Sequence, residues 1–240
     1  MKQQDADLVF NVDRSEIARF EAQADEWWNP KGACRSLHDI NPLRSGYIAG
    51  RTMLAGKDVL DVGCGGGILT EALAGLGARV TGIDMGETHL AVASNHAAAS
   101  GLSIHYAKIS AEQLATRAPA SFDVVVCMEL LEHVPDPAAI VRACSVLARP
   151  GADIFFSTLN RNLKSFVFAI LGAEYILRLL PVKSHNWKRF IRPEELAAWA
   201  DAAGLDTLNA TGLHYNPFRR TYALGGDLLV NYMMHCRRRV

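Results

Sequence analysis

Several things that would narrow the function of this chain at once are missing from it. It has no net charge: 25 Lys and Arg balance 25 Asp and Glu over 240 residues. Proteins that hold nucleic acid through its phosphates carry a basic excess, so no nucleic-acid partner is expected. It has no cysteine framework. Cys34, Cys64, Cys127, Cys144 and Cys236 are odd in number, far apart and free of any C-x-x-C pair. That argues against a disulfide framework or a zinc knuckle and for reduced thiols in a cytoplasmic protein. There is no internal repeat, no low-complexity tract and no uncharged apolar run of the ~20 residues that a membrane span needs. The first residues are polar and acidic, with Asp5, Asp7, Asp13 and Glu16, so neither a signal peptide nor a transit peptide is expected. What the chain does have is apolar mass. Half of its residues are hydrophobic, enough for one domain with a substantial core.

Strand-like and helix-like patterns alternate through the middle of the chain. Strands are predicted over 58–62, 79–83, 103–106, 123–128 and 153–157, with helices over 68–76, 87–99 and 138–148 and a turn at 148–152. This order predicts an α/β fold: a doubly wound, mostly parallel sheet with helices on both faces. Residues 15–28 place Ile17, Phe20, Ala24 and Trp27 at helical spacing behind a Ser15 N-cap. A helix over 193–203 opens on Pro193 and stops at Gly204. Strand-like runs at 207–213 and 228–235 follow as a hairpin-like pair. The chain divides into a helical cap (1–52), an α/β core (53–160), an insertion (161–192) and a closing helix with the last strands (193–240), all within a single domain.

The most informative stretch is V-L-D-V-G-C-G-G-G-I-L-T, from Val59, with T-G-I-D after it up to Asp84. A strand ends in an acid, a glycine turn opens a helix, and a second strand ends in another acid. Such a β-α-β unit carries a nucleotide site at the carboxyl ends of its strands. Glycines at 63, 65, 66 and 67 let backbone approach a ligand closely. The dinucleotide fingerprint G-x-G-x-x-G lacks its third glycine, because Ile68 stands there. Asp61 would repel a pyrophosphate and suit a sulfonium or an ammonium. Asp84 fits ribose hydroxyls in either class, so a pyridine-nucleotide oxidoreductase and an adenosyl-sulfonium enzyme both stay open on these residues.

A second constellation, C-M-E-L-L-E-H-V-P-D-P, follows the strand at 123–128. If it opens a helical turn, Glu129, Glu132 and His133 share one face beside the cofactor crevice. Two carboxylates and an imidazole can bind a divalent metal, or hold His133 ready as a general base. They can equally be a helix start with favourable acids and a packed histidine.

The turn D-V-G-C-G-G-G resembles the first motif of the class I S-adenosylmethionine-dependent methyltransferases. Together with I-D-M-G, C-M-E-L-L-E-H-V-P-D-P, F-F-S-T-L-N-R-N, T-G-L-H-Y-N-P, W-W-N-P and L-H-D-I-N-P-L-R-S-G-Y-I, it makes nearly the whole chain similar to the ubiquinone biosynthesis O-methyltransferase family. That resemblance implies a seven-stranded, Rossmann-like sheet with an antiparallel edge strand. It implies S-adenosylmethionine as cofactor, held by Arg44, Asp61, Gly63, Gly65, Asp84, Met85 and Met128, with Met128 against the adenine. It implies catalysis through His133 and Glu129, and a divalent metal such as Mg2+ on Glu129, Glu132 and His133. The implied acceptors are polyprenylated phenols and catechols: 3-demethylubiquinol, methylated to ubiquinol, and 2-polyprenyl-6-hydroxyphenol, methylated to the 6-methoxyphenol. Other quinone-biosynthesis enzymes are implied partners. An acceptor of another small-molecule or lipid class, or a non-catalytic adenosyl-binding scaffold, are the remaining alternatives.

The insertion is the greasiest part of the chain. Between Leu163 and Leu180 only Lys164, Glu174 and Arg178 are charged, and on a helix they fall within about 80° of one another. From Arg161 to Arg192 seven basic residues face one acid, a net +6 in a neutral protein. Apolar bulk ringed by positive charge suits an anionic bilayer surface, and hence peripheral attachment to the inner membrane. A buried helix or a dimer seam is the alternative.

Overall fold

The computed structural model describes residues 11–162, 189–216 and 219–240. The segment 163–188, which holds nearly all of the insertion and its apolar stretch, lies outside the described residues. Helix α1 (Arg14–Glu21), a 3-10 turn (Ala24–Glu26) and helix α2 (Arg35–Ala49) precede the sheet. The core then runs β1 (Asp58–Val62), α3 (Ile68–Gly75), β2 (Arg79–Asp84), α4 (Glu87–Ala99), β3 (His105–Lys108), α5 (Ala111–Arg117), β4 (Phe122–Met128), a 3-10 turn (Leu131–His133), α6 (Pro137–Leu147) and β5 (Ala148–Leu159). Helix α7 (Pro193–Ala202) and strands β6 (Leu205–Asn216), β7 (Thr221–Leu224) and β8 (Asn231–Arg238) follow.

The sheet has eight strands in the order β3-β2-β1-β4-β5-β8-β6-β7. The first five are parallel, and β8, β6 and β7 join by antiparallel pairings. The expected fold class is therefore present, with one strand more than expected. β6 and β8 do pair as the hairpin-like couple, and the short β7 adds itself to the outer edge of β6.

Alternating side chains of the central strands feed two cores. Leu60, Val62, Val125, Cys127, Ile154 and Phe156 pack with Ile140, Val141 and Leu147 of α6 and Leu196 of α7. Val59, Val124, Val126 and Phe155 pack on the other face with Tyr47 and Ile48 of α2 and Leu69 and Leu73 of α3. Period-2 strands clothed on both faces are what a parallel sheet requires.

Local chemistry sets most boundaries. Ser110 and Gln113 form a capping box at α5, and Asp136 caps α6 ahead of Pro137. The expected Ser15 cap is corrected: Asp13 caps α1, its carboxylate accepting from the backbone N–H of Ser15 and Glu16. That shift starts the helix two residues early, and it stops at Glu21, with Ala24 and Trp27 beyond it. The turn expected at 148–152 is absorbed into β5. Gly151, at φ +78°, takes up a register shift against β4. Helix α7 ends before Gly204, at φ +76°, as expected of a C-terminal glycine.

The parallel register positions the site. Val62 pairs with Ile83, Asp61 lies level with Val126, and Met128 pairs with Ser157. The glycine turn, Asp84 and Glu129 therefore all emerge from the same edge. It is the carboxyl edge, and the strand order reverses there between β1 and β4, the usual crevice of an open α/β sheet.

Candidate functional site

A cavity of about 840 Å³ opens over that edge. Arg44, Asp61, Gly63, Gly65, Asp84, Met85, Met128, Glu129 and His133 line it. Glu132 does not; it is buried beneath, 3% exposed.

The glycine turn is held by backbone and by one acid. Gly63 and Cys64 donate their N–H groups to the Ile83 carbonyl at 2.8 and 3.0 Å. The Asp84 carboxylate accepts from Gly65 N–H at 2.9 Å and from Gly86 N–H at 2.7 Å. Charge-assisted bonds of this kind are the stronger ones. Gly63, Gly65 and Gly67 have φ of +73°, +52° and +88°, the left-handed region that glycine enters freely. Gly66 is needed for a different reason, one not visible in the motif. A Cβ there would stand 2.2 Å from Trp27 Cδ1. The neighbouring Trp28 donates its indole N–H to the Gly66 carbonyl at 2.8 Å and stacks on His96 at 3.4 Å. The W-W pair seals the turn from outside.

Asp61 is buried and accepts from the Thr70 hydroxyl at 2.7 Å. Burial pushes its carboxyl up to about 6, against the pull of Thr70 and of the Arg44 charge. Arg44, 5% exposed, is held below the ordinary guanidinium range by burial, despite the charges of Glu129 and Asp61. Its Nη2 donates to the Leu37 carbonyl at 3.2 Å, while its Nε is buried with no hydrogen-bond partner. A buried cation with an unused donor at the cavity wall, together with bare glycine backbone and a strand-end acid, fits an adenosyl amino acid: carboxylate toward Arg44, ribose toward Asp84.

The second constellation departs from the expected single helical face. Glu129 sits at φ +55°, and only Leu131–His133 form a turn, of 3-10 type, so the two carboxylates stay near each other while His133 leaves them. Glu129 accepts from the Ser157 hydroxyl at 2.8 Å and from the Asn231 amide at 3.2 Å. Glu132 accepts from the Thr158 hydroxyl at 2.7 Å through one oxygen, and its other oxygen is buried without a partner. Burial, then the charge of Glu129, pushes Glu132 up to about 8. His133 turns the other way, its Nδ1 2.8 Å from Glu16 Oε2 and its ring edge-on to Phe20. Among the described residues no group of three or more His, Cys, Asp or Glu is arranged to hold a metal ion. The triad does not fit a metal as a set. The Glu129–Glu132 pair, with its orphaned oxygen, does suit a hard cation.

A family model described as a methyltransferase domain matches residues 44–210. A ubiquinone biosynthesis O-methyltransferase of Pseudomonas syringae pv. tomato is 57% identical over 228 residues, covering 95% of this chain and 98% of the relative. The protein of the same name from Hahella chejuensis is 56% identical, covering 95% of each. The chain belongs to the ubiquinone biosynthesis O-methyltransferase family. The pyridine-nucleotide reading of the glycine turn falls with that. Solved methyltransferases share the fold at low identity. One from Thermotoga maritima has a TM-score of 0.66 at 16% identity over 94% of this chain and 99% of that one. The magnesium protoporphyrin IX methyltransferase of Synechocystis, solved with bound S-adenosylmethionine, has 0.62 at 18% over 93% and 97%.

In this methyltransferase several site residues went unassigned from sequence. Thr70 and Asn231 are ordinary-looking polar residues whose partners lie 9 and 102 positions away. Trp27 and Trp28 did leave a signal, since two adjacent indoles in a polar segment need an apolar seat. Gly66→Ala is expected to cost about 1–3 kcal/mol by overpacking. In a Trp27→Ala background the same change should fall within about 0.5 kcal/mol of neutral, as read by urea denaturation.

Proposed function

We propose that this methyltransferase moves a methyl group from S-adenosylmethionine to a phenolic or catecholic oxygen of polyprenylated ubiquinone precursors, with His133 as the general base. The acceptors are 3-demethylubiquinol and 2-polyprenyl-6-hydroxyphenol. The observation that carries the base assignment is the place of His133: on the cavity wall, one turn past the end of β4, its ring fixed by Glu16.

When bound, the cofactor supplies an electrophilic methyl group on a positive sulfur; that group passes to the acceptor oxygen, and the C–S electron pair stays on sulfur. The residues do the rest. Arg44 would take the carboxylate of the cofactor, Asp84 would accept from the ribose hydroxyls through the lone pairs its fixed oxygens keep, and Met85 and Met128 would serve the adenine. Asp61, buried and hard to ionise alone, gains its charge cheaply beside a cation. A phenol has a pKa near 10, so about one in a thousand is ionised at pH 7. Proton removal by His133 raises that fraction at the moment of transfer, and alignment of oxygen, methyl and sulfur lowers the barrier further. Glu129, braced by Ser157 and Asn231 at the same wall, orients the acceptor hydroxyl.

A divalent cation such as Mg2+ would be held by Glu129 and Glu132, where it would offset the charge of a phenolate. With no cation bound, a proton neutralises Glu132 instead. Chelator-treated protein should therefore take up Mg2+ with release of protons, read by calorimetry in two buffers of different ionisation heat. Glu132→Gln should abolish that heat. No heat from the parent returns both acids to structural roles.

The segment 161–192 is the surface through which a greasy acceptor enters from an anionic membrane, which makes the protein peripheral to the inner membrane and otherwise cytoplasmic. Its +6 charge and apolar run support this. Among the described residues no helix is long and apolar enough to cross a membrane. Changing Phe166, Phe168 and Ile170 to Ser should abolish sedimentation with anionic liposomes; unchanged sedimentation rules the surface out.

The reaction itself is tested by mass spectrometry after incubation with methyl-labelled cofactor and a polyprenyl catechol. A single labelled methyl on oxygen is expected, and an unlabelled catechol with consumed cofactor contradicts the acceptor.

A further inference from the structure

We propose that Glu16, on helix α1, is the positioning residue for His133: it fixes the imidazole so that Nε2 is the proton-accepting atom. This rests on the base assignment above and extends it to a part of the chain outside the sheet.

The contact spans 117 residues of sequence, with Glu16 Oε2 2.8 Å from His133 Nδ1. Burial works to raise the carboxyl of Glu16, but the hydrogen bond and charge of His133, with Arg19, hold it below its ordinary range. An ionised carboxylate only accepts, so Nδ1 must carry the hydrogen, and in the neutral ring Nε2 is then the acceptor. Glu16 is itself tethered: Arg19 Nη2 donates to the same oxygen at 2.6 Å. Phe20, one helical turn on, meets the imidazole edge-on at 5.0 Å between centroids. The ring is thus clamped by a carboxylate and an aromatic wall, both from α1, and the side chain is only 13% exposed.

The helix is fastened at its start to the loop that carries His133. Asn11 donates to the Asp136 carbonyl at 2.8 Å and accepts from Asp136 N–H at 2.7 Å. Its amide also reaches Glu112 at 2.8 Å. Asp13, which caps the helix, binds Arg189 at 2.7 Å, at the rim of the insertion. A surface ion pair formed by chance would need none of this scaffolding. Carboxylate, imidazole and reacting oxygen in series is an arrangement that enzymes use to set a histidine tautomer.

The test is a double-mutant cycle on methyl transfer to a polyprenyl catechol, with Glu16→Ala, Glu16→Gln, His133→Ala and Glu16→Ala/His133→Ala. Glu16→Ala is expected to lower kcat about 10–100-fold, the range for loss of a partner that orients a histidine. Acceptor KM and affinity for S-adenosylhomocysteine should stay within about twofold. Glu16→Gln offers an N–H donor beside its acceptor oxygen, no longer dictates the tautomer, and should lose rate as Glu16→Ala does. In the His133→Ala background, Glu16→Ala should cost nothing more. Ring nitrogen-15 NMR gives a reading independent of turnover: the Nδ1–H form of neutral His133 should dominate in the parent and lose that dominance in Glu16→Gln and Glu16→Ala. Wild-type kcat in Glu16→Ala with His133→Ala inactive overturns the role of Glu16 alone. An equal loss from Glu16→Ala with and without His133 also overturns it, since the helix then acts only as scaffold. Wild-type kcat in His133→Ala overturns the base assignment beneath it.

Discussion

The carboxylate of Asp84 organises the glycine-turn half of the site. It reaches from the end of β2 to Gly65 N–H in the turn after β1 and to Gly86 N–H at the start of α4. One side chain thereby ties together two strand ends and the approach to a helix. The tie is available only because the parallel register pairs Val62 with Ile83, which brings both turns to one edge. Asp61, one strand over, is left facing α3 and Thr70. The β1/β4 reversal opens the space between them. Displacing this register by one residue would turn Asp61 to the other face of the sheet and pull Asp84 off the turn.

The N-terminal residues complete what the sheet starts. Trp27 covers the glycine turn, Trp28 bonds it, and Glu16 holds His133. The sheet with its helices builds the glycine turn and its acids; the indoles against that turn and the posture of the imidazole come from residues that precede it. Fold and chemistry are therefore divided along the chain. The generic part is the β-α-β unit, shared with solved methyltransferases at low identity. The particular part is carried by the segments around it.

Sequence showed the core well because its signals are local. The strand at 58–62, the helix at 87–99 and the glycine turn all arise from period, caps and φ requirements within a few residues. Errors gathered where a distant partner decides. Ser15 has the right chemistry for a cap, but Asp13, ion-paired to Arg189, takes the position. The helical face assumed for Glu129, Glu132 and His133 fails because Ser157 and Asn231 capture Glu129 in the left-handed region. The eighth strand, β7, is four residues long and forms only by pairing with the edge of β6. None of these long-range contacts leaves a periodic trace.

The most direct measurement is a calorimetric titration of S-adenosylhomocysteine into the parent protein and into Asp84→Asn. Saturable binding to the parent, with about 10–100-fold weaker binding to the variant, is predicted from the loss of charge-assisted hydrogen bonds worth about 1.5–3 kcal/mol. Equal affinity in the two proteins would contradict the role given to this acid, and with it the placement of the adenosyl group at the β1/β2 edge.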